Sequence, residues 1–162
     1  MQNKIRKQLL LCASSVPALL FTLLLGGFAL NAYGTNIYFK RVYADVSSWQ
    51  STGVYANTGD TLVFVACGKV VHWQSRDKTQ KQYCGPDGVP GTTNETVYLA
   101  PGLIKMGLVG RIGNHFFNIG SSRTVRAPTS GYLYLGMNDT VYYGGCADNE
   151  GYWTVGIVLI RR

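Results

Sequence analysis

Tyr132-Leu133-Tyr134-Leu135 and Trp153-Thr154-Val155-Gly156-Ile157-Val158-Leu159 decide the fold. The first alternates aromatic and aliphatic residues, as a strand with two distinct faces must. The second is rich in β-branched residues and bounded by turn formers. Outward from these two, the same texture runs through residues 36–162. Further strands are expected at Asn36–Val46, Gly53–Ala56, Thr61–Cys67, Val70–Trp73, Thr96–Leu99, Ile104–Ile112, His115–Ile119 and Thr124–Arg126, with the first quoted stretch extending over Tyr132–Asn138 and the second over Tyr152–Ile160. Turn signals separate them: Thr58-Gly59-Asp60, Gly85-Pro86-Asp87-Gly88, Pro90-Gly91, Pro101-Gly102, Ser130-Gly131 and Gly144-Gly145. Past Gly34 no segment has a helical period. The expectation is an all-β fold, an antiparallel sandwich or barrel. Gln74–Thr96 has few hydrophobes and reads as one long loop, the kind of segment in which function often lies.

Composition agrees. Of 162 residues 46% are hydrophobic and only 14% charged, with 20 glycines and 11 tyrosines. That balance excludes extensive disorder and suits one turn-rich β domain. The N-terminus differs from the rest. Lys4, Arg6 and Lys7 precede 22 uncharged, mostly apolar residues, Leu9 to Leu30. Residues 1–32 are therefore expected to be a hydrophobic helix acting as a signal peptide or a membrane anchor, and residues 33–162 the β domain. The run is long enough to span a bilayer, while Gly27-Phe28-Ala29 offers a cleavage-like site. Either way the domain is exported: periplasmic, membrane-anchored or secreted.

Residues 33–162 hold 12 of the 15 Lys and Arg and all 8 acidic residues, which leaves a net charge of +4. The excess is scattered, with no basic helix or stripe, and nucleic acid is not an expected partner. Cys67, Cys84 and Cys146 lie in the exported part. An oxidising compartment allows a disulfide, and Cys67–Cys84 is the expected pair, tying a strand end to the long loop. No Cys-x-x-Cys spacing suggests zinc.

Catalysis finds little support. His72 lies in an apolar run and His115 beside two phenylalanines, without a nucleophile or paired carboxylates at useful spacing. An enzyme is not expected. One cluster carries chemistry instead. Asn138-Asp139 ends a strong strand, a glycine-containing loop follows, and Asp148-Asn149-Glu150-Gly151 opens the last strand. If those strands pair, Asp139, Asp148 and Asn149 converge. Carboxylates, an amide oxygen and loop carbonyls are the ligands that Ca²⁺ selects. Tight turns also contain Asp, Asn and Gly for their own reasons.

The chain resembles the calcium-dependent galactophilic lectins of bacteria, the PA-I-like family, from about residue 40 onward. Carrying the likeness are Asn57-Thr58-Gly59-Asp60 running into Thr61–Gly68, Thr79-Gln80-Lys81 with Gly85-Pro86-Asp87-Gly88, Gly107–Gly113, and Tyr132–Asp139 with Asp148-Asn149-Glu150-Gly151. The resemblance implies a small jelly-roll-like β-sandwich with a galactose-type glycan bridged by Ca²⁺ at one end. It assigns Asp139 to both metal and sugar, and Asp148 and Asn149 to the metal, where the family has two asparagines. A carbonyl ligand is expected between His72 and Arg76. The family's sugar-holding histidine and glutamine have no counterpart here. Asn94-Glu95-Thr96-Val97-Tyr98-Leu99-Ala100-Pro101-Gly102 stands in their place, leaving Tyr98 as a stacking face and Asp148 as a further sugar contact.

Two functions follow as expectations. One is an exported Ca²⁺-dependent carbohydrate-binding module. The other is a structural or protein-interaction component of a bacterial envelope, bound to envelope proteins or to the membrane through its N-terminal helix, that keeps the lectin-like fold without the sugar. Asn94-Glu95-Thr96 and Asn138-Asp139-Thr140 fit the N-glycosylation pattern, but a glycan on Asn138 would crowd the metal site, and both read as chance matches.

Overall fold

Ten strands alternate faces with the two-residue period of the sequence. The computed structural model describes residues 34–92, 96–141 and 145–162. The expected helix and export segment, residues 1–32, lie outside them. Among the described residues no helix is long and apolar enough to cross a membrane.

The strands are β1 (Thr35–Tyr43), β2 (Gln50–Ala56), β3 (Thr61–Cys67), β4 (Val70–Gln74), β5 (Lys81–Cys84), β6 (Leu108–Ile112), β7 (His115–Asn118), β8 (Ser122–Arg126), β9 (Gly131–Met137) and β10 (Tyr152–Ile160). Two four-stranded antiparallel sheets form, with orders β1-β10-β3-β8 and β2-β9-β6-β7; β4 and β5 make a separate hairpin. In β10, Trp153, Val155, Ile157 and Leu159 are all fully buried, and the residues between them are half-buried. The core joins these to Leu62 and Phe64 of β3, to Leu108 and Ile112 of β6, and to Leu133, Leu135 and Met137 of β9. The inner faces of both sheets thus share one hydrophobic layer, which makes the fold a β-sandwich. Thr35–Arg162 form one compact unit.

Most expected strands are present, with instructive differences. Thr96–Leu99 is not a strand; only Tyr98 bridges, to Thr140. Ile104–Ile112 shrinks to Leu108–Ile112. Met106 adopts φ +53°, a left-handed conformation that interrupts extended pairing. Gly107 then leaves no room for a side chain against Ile104. The long loop Gln74–Thr96 is shorter than expected, because its Lys81–Cys84 stretch pairs back onto β4.

The Cys67–Cys84 bridge is not formed. Cys84 is a free, buried thiol. Its pairing with Val70 turns it to the core, where its Sγ donates to the Met106 carbonyl at 3.4 Å. Cys67 closes β3 on the outer, half-exposed face opposite Thr154, so the two sulfurs face different sides of the sandwich.

Candidate functional site

β9 and β10 lie in different sheets, and the chain between them rounds one end of the sandwich. Asn138 follows β9 and is fully buried. Its Oδ1 accepts from the Ala100 N–H at 2.8 Å, and its Nδ2 donates to the carbonyls of Ala100 (3.0 Å) and Ile104 (2.9 Å). One side chain therefore pins the whole 100–104 loop beside the site. This amide has no surface from which to carry a glycan. Val141 N–H donates to Val97 O at 2.7 Å, and Leu99 N–H to Asp139 O at 3.0 Å. These bonds bring the 97–100 stretch alongside 139–141.

Asp139 is only 3% exposed. Its Oδ1 accepts from the Thr140 N–H at 2.6 Å and its Oδ2 from Asn149 Nδ2 at 2.8 Å. Burial pushes this carboxyl above the usual carboxylate range. The Asn149 and Thr140 hydrogen bonds oppose the shift, the Asp148 charge adds to it, and His72 counters it. No ion pair to Asp139 compensates its charge among the described residues.

Asn149 is 4% exposed and spends its amide nitrogen on Asp139 and on the Ala44 carbonyl, at 3.0 Å. Its Oδ1 is buried and has no hydrogen-bond donor. A buried acceptor left unmet costs about 1–3 kcal/mol, and this one belongs to the side chain that donates to the buried Asp139 carboxyl. Asp148 is half-buried, next in the chain, and near enough to act on Asp139. The three expected metal residues are thus gathered in one place.

The structure adds neighbours that the sequence did not single out. Ala44 follows β1 and is held by its N–H to the Gly151 carbonyl at 3.0 Å. Asp45 comes next, and its charge, with those of Asp139 and Asp148, acts on Cys146. Cys146 is buried and donates to the Thr140 carbonyl at 3.6 Å. Burial, then Asp139, Asp148 and Asp45, push its thiol up to about 12; burial and Asp139 do the same to Cys84. Both thiols are therefore protonated and unreactive at neutral pH. Gly145 packs so closely on Thr140 that a side chain would collide with it. Gly144, the other candidate carbonyl, lies outside the described residues.

The β4–β5 hairpin completes this end. Val71 and Glu150 exchange backbone hydrogen bonds at 2.9 and 3.1 Å, and Lys81 Nζ meets Glu150 Oε2 at 2.6 Å. His72 stands at an irregularity between Val71 and Trp73, where a bulge turns backbone groups out of the ladder. The stretch expected to supply a carbonyl is thereby fastened beside Asn149. Tyr98 pairs with Thr140, one residue past Asp139, and its ring faces the Lys105 ammonium at 5.8 Å.

Among the described residues no three His, Cys, Asp or Glu side chains form a metal-holding group. What the site offers is carboxylate, amide and carbonyl oxygen around a surplus of negative charge. Buried orphan oxygen and uncompensated carboxylate fit a hard cation and do not fit a thiolate or imidazole metal.

Comparison with known proteins identifies the fold and the family. A solved chain described as the EclA N-terminal domain, a PllA-like lectin, superposes with a TM-score of 0.57 at 22% identity, covering 75% of this chain and 95% of that one. At that identity the likeness establishes the fold. No curated protein matches. The sequence model of the PA-IL-like protein family matches residues 38–162, all of the sandwich but the first three residues of β1, and the chain therefore belongs to the PA-IL-like family.

Proposed function

We propose that this domain is a Ca²⁺-dependent carbohydrate-binding module, a binding protein rather than a catalyst. Its glycan is of the galactose type, and residues 1–32 export it. The observation that carries the reading is Asn149 Oδ1, a buried oxygen without a donor beside a buried carboxylate without a cation. Asp139, Asp148 and Asn149 would hold the ion. The strand order, with sheets β1-β10-β3-β8 and β2-β9-β6-β7, is that of a jelly roll, and an ion held by these three residues would lie at one end of the sandwich.

When bound, Ca²⁺ supplies coordination positions for vicinal sugar hydroxyls. The protein's part is to hold its oxygens apart at fixed positions before the ion arrives. Asn138 does this for the 100–104 loop, Asn149 for Asp139 and Ala44, and the Val71–Glu150 bridge for the hairpin. Tyr98 lies at the edge, where a ring offers a stacking face to a sugar. Asp139 and Asp148 would accept hydrogen bonds from its hydroxyls.

A glycan array read with Ca²⁺ and with chelator tests the proposal. Binding to galactose-terminated glycans that chelator abolishes is expected. No chelator-sensitive binding, together with a melting temperature unmoved by Ca²⁺, overturns it.

A further inference from the structure

The outer face of the β1-β10-β3-β8 sheet breaks the pattern that an antiparallel sheet with one packed face should show. Inward residues of the central strands β10 and β3 are apolar, as required; outward ones should be polar. Register places Ile37 beside Val158 and Val63, and Phe39 beside Gly156 and Val65. All of these alternate with core residues and so face out. Phe39 is 75% exposed and Ile37 53%. The Phe39 ring lies across Gly156, where no side chain stands between β1 and β3. Tyr43 extends the same face, 42% exposed, and Arg41 lies over the Tyr152 ring at 4.7 Å.

Charge on this face has one sign. It carries Arg41 of β1 and Arg126 of β8, while Lys40 and Arg123 sit opposite the core residues Val155 and Phe64 on the inner side; none of the 8 acidic residues falls on the four strands. The apolar part covers on the order of 300 Å², given about 4.8 Å between strands. A stable dimer needs about 800 Å² per partner. The face is too small for a second copy, while aromatic, aliphatic and basic groups without carboxylates suit a shallow seat on anionic headgroups.

Chain order points the same way. The apolar run Leu9–Leu30 ends four residues before Thr35 opens β1, the edge strand bearing Ile37 and Phe39. If that run enters a bilayer, a connection of four residues can reach no farther than about 13 Å, whatever its conformation, which keeps the start of β1 near the surface.

We propose that this outer face is a membrane-contact surface that takes an anionic lipid bilayer, with Phe39 and Ile37 entering the headgroup region and Arg41 and Arg126 flanking them. It is distinct from the Asp139 site.

The test uses the full chain with phosphatidylcholine vesicles containing phosphatidylglycerol and acyl-chain-brominated lipid. Phe39→Trp is compared with Tyr132→Trp, an exposed position on the other sheet. After subtraction of the wild-type signal, bromolipid is expected to quench Trp at position 39 several-fold more than at 132, less so in high salt. Equal quenching at the two positions, or none at 39, overturns the proposal. So does a blue shift at 39 without quenching accompanied by a doubled mass in light scattering, which would make the occupant a second copy. Phe39→Asp should keep the melting temperature and lose vesicle contact. Glycan binding is read separately, so loss of the lectin reading leaves this result interpretable.

Discussion

Among the described residues Asp60 and Asp139 are the two buried acids, 2% and 3% exposed, and they stand at opposite ends of β10. Asp60 meets the chain just beyond Ile160. It accepts from the Asn57 N–H at 2.8 Å, from the Arg162 N–H at 3.1 Å and from Arg161 Nη1 at 2.8 Å. Burial pushes its carboxyl up, but these donors outweigh burial and hold it below the ordinary range. Asp139 lies just before the other end, with two neutral donors, a second carboxylate nearby and no guanidinium; it is pushed up. The same residue at nearly the same exposure is a finished structural bond at one end and, under the proposed function, a cation ligand at the other. What differs is whether the chain supplies its own positive charge.

The comparison can be broken most forcefully at Asp60. Asp60→Ala leaves Arg161 and two backbone donors without their acceptor and should cost about 3 kcal/mol. Urea unfolding should show that loss unchanged by Ca²⁺. At the other end Ca²⁺ itself is the perturbation. At one hundred times its Kd it should add about 2.7 kcal/mol, a melting rise on the order of 10 °C for a domain of this size. Asp139→Asn should abolish that rise while Asp60→Ala retains it; a full rise in Asp139→Asn would remove Asp139 from the site.

Asn138→Ala should cost about 2 kcal/mol, since it strands buried groups of the 100–104 loop. It should also weaken glycan binding more than Ca²⁺ binding, which calorimetry with each ligand separates. The smallest effect is in pH. Asp139, its carboxyl raised by burial, is protonated before Asp60 on acidification, and the Ca²⁺-dependent rise should fade as pH falls. Without the ion the same raised group makes apo stability fall as pH rises through its window. Asp60 has the opposite sign: its stabilisation is present above the unfolded value and persists until pH drops through its lower folded one. Parallel melts across acid pH, with and without Ca²⁺, would show the two events separated in that order.

Much of this was legible in the chain. Alternation in β9 and β10 marked both sheets, because a two-residue period is local and survives any topology. Asp139 and Asn149 were legible as candidates because each closes or opens a strand next to turn residues. Asn138 went unread as a structural residue, since an amide at a strand end resembles any turn residue until its three partners are seen. The Lys81–Cys84 strand was hidden because half of its residues are exposed and its sequence is short and partly polar.

By itself, then, the sequence determined the fold class, the strand faces and which oxygens could gather. Tertiary structure decided how the charges are met. Arg161 and Asp60 are 101 positions apart and Asn149 and Ala44 are 105 apart; no spacing rule joins them. It likewise set Cys67 and Cys84 on different faces, against the expected bridge. Packing of two sheets fixes which distant groups share a buried volume, and whether a guanidinium reaches that volume is what separates Asp60 from Asp139.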